Sequence, residues 1–186
     1  TEHGFRQFLA VGKFHSGWLR AEREERREEG IALMRGWVEV CRTIRSECLM
    51  PTYLAWLAET CARAGEPAEG LALVNEALAV AAQSGYQHWT AELHRLKGML
   101  TLRLEDRNGG GRPVAERTAE ACFLEAIETA RRQHAMSLEL RAATSLSRLR
   151  AQQGRSKEAR ALLGSVYGWF TGAPRARAVD NTAPKS

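Results

Sequence analysis

Residues Trp56–Val80, WLAETCARAGEPAEGLALVNEALAV, read as two short amphipathic helices joined by a tight turn. Leu57 and Ala58 sit in the first helix, and Gly65 ends it. Pro67 lies near the first turn of the second helix, where its missing N–H costs little. Gly70, Val74 and Ala77 follow at spacings of four and three, a single stripe along one helix face. Small side chains at Gly70 and Ala77 let two helices approach closely, and Val74 fills the space between them.

The same pattern returns along the chain. Gly30, Met34 and Trp37 repeat the four–three spacing 40 residues earlier. Ala119, Phe123 and Ala126 repeat it 49 residues later, and Ala159, Leu163 and Val166 do so after a further 40. A small residue precedes each stripe, at Gly17, Ala58, Gly98 and Ser147. Gly154 stands five residues before Ala159, as Gly65 stands five before Gly70. Repetition at this period is the mark of a helical-hairpin array. The expected fold is all-α, a right-handed superhelix of about four antiparallel helix hairpins. Their expected spans are 5–45, 51–84, 86–134 and 137–170, within one domain covering 1–170.

Several local features refine this reading. Phe8, Leu9, Phe14 and Trp18 give an apolar face to the first helix. The mixed-sign run from Arg20 to Glu29 reads as a solvated turn with helix-favouring ion pairs. Ile31, Met34, Trp37, Val38 and Cys41 are the expected buried face of the next helix. Gly85 marks a stop. Ser137 reads as a helix N-cap. EDRNGGGRP, from Glu105 to Pro113, reads as a flexible loop that absorbs the extra nine residues of the 49-residue spacing. It lacks the GxxxxGK[ST] pattern after a strand that a phosphate cradle requires. Gly172, Pro174 and Pro184 break the helical pattern, so 171–186 reads as a disordered tail.

Composition agrees with a helical protein and narrows the function classes. Ala, Leu, Arg and Glu dominate, all strong helix formers. Charged residues make up 26% of the chain and the net charge is +5, with acids interleaved among the arginines. A nucleic-acid binder more often carries a clustered basic stripe. Cys41, Cys48, Cys61 and Cys122 form no CxxC pair, and reduced thiols suit a cytoplasm. No apolar run reaches the roughly 18–20 residues that span a bilayer, so no membrane contact is expected. The chain starts at Thr1 without methionine, and a fragment of a longer protein is expected.

The small–aromatic–small spacing in helix pairs resembles the tetratricopeptide repeat over about residues 5–170. Its period of 40 exceeds the usual 34 or so, which implies a subclass with longer helices. The stretches WTAELHRLKGMLTLRL (Trp89–Leu104) and AEACFLEAIETARRQHAMSLELRAATSLSRLRAQQGRSKEARALLGSVYGWFTGA (Ala119–Ala173) resemble the C-terminal repeat region of bacterial multidomain signalling proteins. Such proteins join the repeats to an adenylate or guanylate cyclase, or a DNA-binding domain, and an ATPase. The resemblance implies a regulatory scaffold. It transfers no enzymatic activity, since no cyclase or ATPase motif lies in this chain.

No catalytic constellation emerges from the residues. The histidines are 3, 15, 88, 94 and 134; His88 and Glu92 are four apart, but nothing completes the three or four ligands of a zinc site. No enzyme activity, cofactor or metal is expected. The five tryptophans (Trp18, Trp37, Trp56, Trp89, Trp169) read as packing anchors, with exposure of one or two as interface anchors the alternative. In the tetratricopeptide family the first helix of each pair lines a concave groove. Carried over, that implies Phe14 and Trp18; Ala55, Glu59 and Arg63; Glu92, Arg95, Met99 and Arg103; and Arg141, Thr144 and Arg148. The partner-binding set expected from these is Phe14, Trp18, Arg63, Arg95, Met99, Arg103, Arg141 and Arg148. Arginine forks pair well with carboxylates. The expected ligand is an acidic peptide or protein surface, of a partner or of a sister domain. The Lys and Asn clamp of chaperone-binding relatives is not reproduced, because Ala55 and Glu59 occupy two of its positions. The expected function is therefore a non-catalytic protein-interaction scaffold of the cytoplasm. The alternatives are a nucleic-acid-binding repeat and a self-assembling segment that forms a homo-oligomer.

Overall fold

The structure is a computed structural model that describes the backbone of residues 2–45 and 49–171, with side chains for 11–45 and 49–168. Among the described residues the chain is all-α: α1 (Glu2–Ala21), α2 (Arg27–Thr43), α3 (Met50–Arg63), α4 (Pro67–Ser84), α5 (Thr90–Asn108), α6 (Arg112–Arg132), α7 (Met136–Gln152) and α8 (Ser156–Thr171). These pack as consecutive antiparallel pairs, α1–α2, α3–α4, α5–α6 and α7–α8. The expected tail and Cys48 lie outside the described residues, apart from Thr171, which closes α8. The side chains of Phe8, Leu9 and Trp169 also lie outside them.

The small residues mark where paired helices cross. A Cβ at Gly30 would collide with the Gly17 carbonyl and the Ala21 backbone. A Cβ at Gly70 would fall 2.8 Å from the Ala58 carbonyl oxygen, and one at Gly98 would fall 2.7 Å from the Phe123 ring. In the fourth pair Ser147 takes the same place, and its Oγ donates to the Ala159 carbonyl at 3.1 Å. Val74, Phe123 and Met34 then fill the helix–helix seams and are fully buried. The buried face of α2 is the expected one: Ile31, Met34, Trp37, Val38 and Cys41, together with Gly30.

Helix ends follow local chemistry. Pro67, Pro51 and Pro113 all sit within the first two positions of their helices. Gly85 ends α4 in the left-handed conformation. The α3–α4, α6–α7 and α7–α8 turns share one six-to-one hydrogen bond, from Glu66 N to Cys61 O (2.9 Å), Ala135 N to Ala130 O (2.9 Å) and Arg155 N to Arg150 O (2.8 Å). This is the Schellman arrangement, which calls for a left-handed residue. Gly65 and Gly154 supply it, and His134 does so with a φ of 53°. The run from Arg20 to Glu29 holds a short 3-10 turn, with Glu29 receiving both Arg20 (2.6 Å) and Arg26 (2.9 Å).

Two local expectations are corrected. The glycine-rich stretch is not a nine-residue flexible loop. α5 runs on to Asn108 and α6 begins at Arg112, leaving only Gly109–Gly111 between them. Glu105 turns back to accept from the Gly111 N–H, and Arg112 pairs with Asp106 and Glu116, so charge closes the turn. The extra residues lengthen both helices. Ser137 is not an N-cap either: α7 starts at Met136 after Ala135, with no side-chain cap bond.

The pairs join in a regular way. Each even helix packs on the odd helix that follows it, and α1 also meets α3, α3 meets α5 and α5 meets α7, whereas among the described residues no two even-numbered helices approach backbone to backbone. The odd helices therefore contact one another in sequence, and the even helices touch across pairs only through side chains. One apolar core runs from α1 to α5 and a second joins α6, α7 and α8.

Candidate interaction face

The expected groove residues fall into three groups. The first belongs to the core. Phe14 is fully buried, its ring 4.7 Å from Tyr53 and 6.1 Å from Trp56. Its expected place on a groove is therefore corrected: at the α1–α3 contact a ring of that size is enclosed by both helices. Trp18 packs half-buried against Trp56, with ring centroids 5.7 Å apart. Ala55 is buried as well.

The second group is engaged in ion pairs. Arg63 at the end of α3 reaches back to Glu22 at 2.7 Å. Arg95 is only 6% exposed and grips Glu92 through two nitrogens, at 2.6 and 2.9 Å. Its Nη1 also donates to the Met99 sulfur at 2.7 Å. Arg141, half-exposed on α7, closes on the same Glu92 at 2.8 Å. Glu92 is thus a buried carboxylate shared by two guanidiniums, and it ties α5 to α7. Sequence reasoning placed Glu92 on the groove but missed its burial. The signal was present, since Glu92 and Arg141 are 49 residues apart, the offset that relates Gly98 to Ser147. Opposite charges at equivalent positions of adjacent repeats can meet where the repeats touch.

The third group is open. Arg103 and Arg148 are exposed and have no ion pair among the described residues. Two helical turns beyond Glu92 and Arg141, the same 49-residue offset relates half-buried Met99 on α5 to exposed Arg148 on α7. The face between α5 and α7 therefore combines two available guanidiniums, one thioether and the half-exposed Arg141. That is chemistry for holding carboxylates next to an apolar contact.

Several arginines elsewhere are matched by acids. Arg35 binds Glu69 (2.7 Å) and Glu66 (3.2 Å), and Arg42 binds Glu76 (2.7 Å), bridging α2 to α4. The Arg35 hydrogen bond holds Glu69 below the usual carboxylate range. Glu120 receives Arg150 and Arg155, both at 2.9 Å. Burial pushes Glu120 upward, yet these two bonds keep it below its ordinary value.

Among the described residues one group offers metal-type ligands close together, Cys61 with Glu66 and Glu69. Arg35 already supplies the positive charge between the two carboxylates. Burial pushes the Cys61 thiol up to about 12, against the thiolate that a metal needs. Burial likewise raises Cys41 to about 11.

The chain matches no protein-family profile. No solved structure matches it. An uncharacterised protein of Rhizobium meliloti (strain 1021) is 30% identical over 154 residues, which is 82% of this chain and 14% of that protein. The chain thus spans a small part of this bacterial relative's length. Among the described residues no helix is long and apolar enough to cross a membrane.

Proposed function

We propose that the chain is a tetratricopeptide-like scaffold, a right-handed superhelix of four hairpins within a larger bacterial cytoplasmic signalling protein. Its odd-numbered helices line the concave side, and its task is to hold an acidic segment of a partner or sister domain. It performs no chemistry of its own. The observation that carries this reading is the pair of exposed guanidiniums, Arg103 and Arg148, with no acid partner among the described residues, in a layer where Arg63, Arg95 and Arg141 are each matched by an acid. The much longer Rhizobium relative supports a place inside a multidomain protein. Met99 and the stem of Arg141 provide apolar surface beside the charges, and two guanidinium forks fix the register of the bound carboxylates. Binding there shifts the state of linked domains to the extent that one state presents its acidic segment better than another.

The test is a fluorescence-anisotropy titration with a labelled Glu- and Asp-rich peptide. The wild-type chain binds it saturably, and Arg103→Glu with Arg148→Glu weakens binding at least tenfold while the melting curve stays unchanged. Arg95 is a poor choice for this experiment, because its reversal would bury a carboxylate beside Glu92. Equal binding by the double variant would remove the proposal. Tighter binding to DNA than to the peptide, with a steep salt dependence, would replace it with the nucleic-acid reading.

A further inference from the structure

The two apolar cores do not merge, and the third pair carries the seam between them. From α5, Leu93, Leu96 and Leu100 join the core that runs back to α1. From α6, Ala119, Phe123, Ala126 and Ile127 join the core that runs on to α8. Where α5 and α6 cross, α5 presents Gly98, so bare backbone meets the Phe123 ring. Met99 packs against both cores and is only half-buried. A thioether on a flexible stem fills such a gap without fixing its shape.

The chain crosses this seam at three glycines. Gly109, Gly110 and Gly111 are all that lies between α5 and α6, and the first two hold φ angles of 62° and 147°. A few such residues at the end of an element can absorb a large backbone rotation. Away from that turn, polar contacts also cross the seam. Glu92 on α5 receives Arg141 of α7 at 2.8 Å, and Gln133, just past α6, donates to the Gln87 carbonyl at 2.6 Å. Ala91, Ala130 and Leu138 add a small third apolar cluster there.

The open arginines stand on opposite sides of the seam. Arg103 lies on α5, one helical turn past Met99, and Arg148 lies on α7, 49 residues after Met99. Both are exposed, with no acid partner among the described residues. Between them the charge is also unbalanced. Arg95 already grips Glu92 through two nitrogens, at 2.6 and 2.9 Å, so Arg141 brings a second guanidinium to one carboxylate.

We infer that the third pair is a hinge and that the acidic ligand is its strap. The bodies α1–α5 and α6–α8 turn against each other about Gly109–Gly111. A segment whose carboxylates reach Arg103 on one side and Arg148 on the other holds the two bodies together. Glu92 and Arg141 are the strap that the chain carries itself, a buried carboxylate reaching across the seam. The ligand repeats that bond from outside with carboxylates of its own. Binding favours the closed arrangement over an opened one, because only the closed arrangement offers both guanidiniums at once. The identity of the strap rests on the acidic-segment reading, while the hinge stands without it.

Two spin labels measure the hinge directly. Gly36 in α2 and Gly164 in α8 are exposed, and a Cβ at either meets nothing within 4 Å. Labels on Gly36→Cys and Gly164→Cys report the distance between the bodies, in a chain that also carries Cys48→Ser and Cys122→Ala. Cys41 and Cys61 are buried and stay unlabelled. Double electron–electron resonance of the free chain should show a broad distance distribution. A saturating Glu- and Asp-rich peptide should narrow it to a single peak, and Arg141→Gln without peptide should broaden it. A narrow distribution that neither change moves overturns the hinge. A peptide that binds, and no longer binds Arg103→Glu with Arg148→Glu, yet leaves the distribution unchanged overturns the strap while the acidic-segment reading stands. A peptide that does not bind overturns that reading and the strap together, and the Arg141→Gln measurement then decides the hinge alone.

Discussion

The α1–α3 junction and the α5–α7 junction occupy equivalent places in the row and are held by different forces. Between α1 and α3 the contact is aromatic: Phe14, Trp18, Tyr53 and Trp56 interleave, with His15 edge-on to Trp56. Between α5 and α7 the contact is ionic: Glu92 sits buried between Arg95 and Arg141. The comparison separates architecture from adhesion. Small residues at the helix crossings fix how each pair closes, whatever joins one pair to the next. An aromatic junction gains stability from burial and from edge-on ring contacts. A buried carboxylate with two guanidiniums gains little net energy, but losing one member strands the others.

The largest effects should come from emptying either junction. Phe14→Ala removes a fully buried ring and should cost about 3–5 kcal/mol in denaturant melts. Glu92→Ala leaves Arg95 buried without its carboxylate and should also cost about 3–5 kcal/mol. Hydrogen exchange distinguishes the two. Glu92→Ala should lower protection in α5 to α8 first, because pairs in a row contact only their neighbours. Uniform loss across all eight helices would break the comparison. Replacing Glu92 with Leu and Arg95 with Met together should recover most of the loss, as apolar substitutes for buried ion pairs do.

A smaller effect depends on pH. Burial holds half-buried His94 below its ordinary value of 6.5, opposed by Glu125 and assisted by Lys97 and Arg132. The fold therefore favours the neutral imidazole. Below about pH 6.5 the unfolded chain binds the proton more readily, so His94 contributes full stability above that pH and loses it as the pH falls toward the lower folded value. Melting temperatures of His94→Gln should decline less than wild type between pH 7 and 5.5, a window that separates His94 from the carboxylates titrating below it. Parallel curves would remove His94 as a cause. The smallest effect is expected between even-numbered helices. Arg42→Ala breaks a solvent-exposed bridge to Glu76 and should cost less than about 1 kcal/mol, less again in high salt.

Much of the fold was legible because it rests on small side chains. Gly17, Ala58, Gly98 and Ser147 each lie at a crossing, and no larger side chain tolerates that distance. In the stretch from Glu105 to Pro113 the glycine-rich composition hides a helical context. Leu104 to Asn108 continue the helical run of α5, and Pro113 is a helix starter as readily as a loop residue. The interaction face was legible in type but not in detail. Residue spacing placed arginines on one layer, while their pairing depends on which repeats touch and on how deeply. That is why Arg95 and Arg148, alike in sequence, differ so much in exposure.

The central claim is that part of the contact between successive pairs runs between odd-numbered helices at repeat-equivalent positions. A double-mutant cycle between Glu92 and Arg141 tests it across the α5–α7 contact. Glu92→Gln, Arg141→Gln and the double variant should show a coupling of about 1–3 kcal/mol in equilibrium unfolding. Additivity within about 0.3–0.5 kcal/mol, the behaviour of distant residues, would contradict the account.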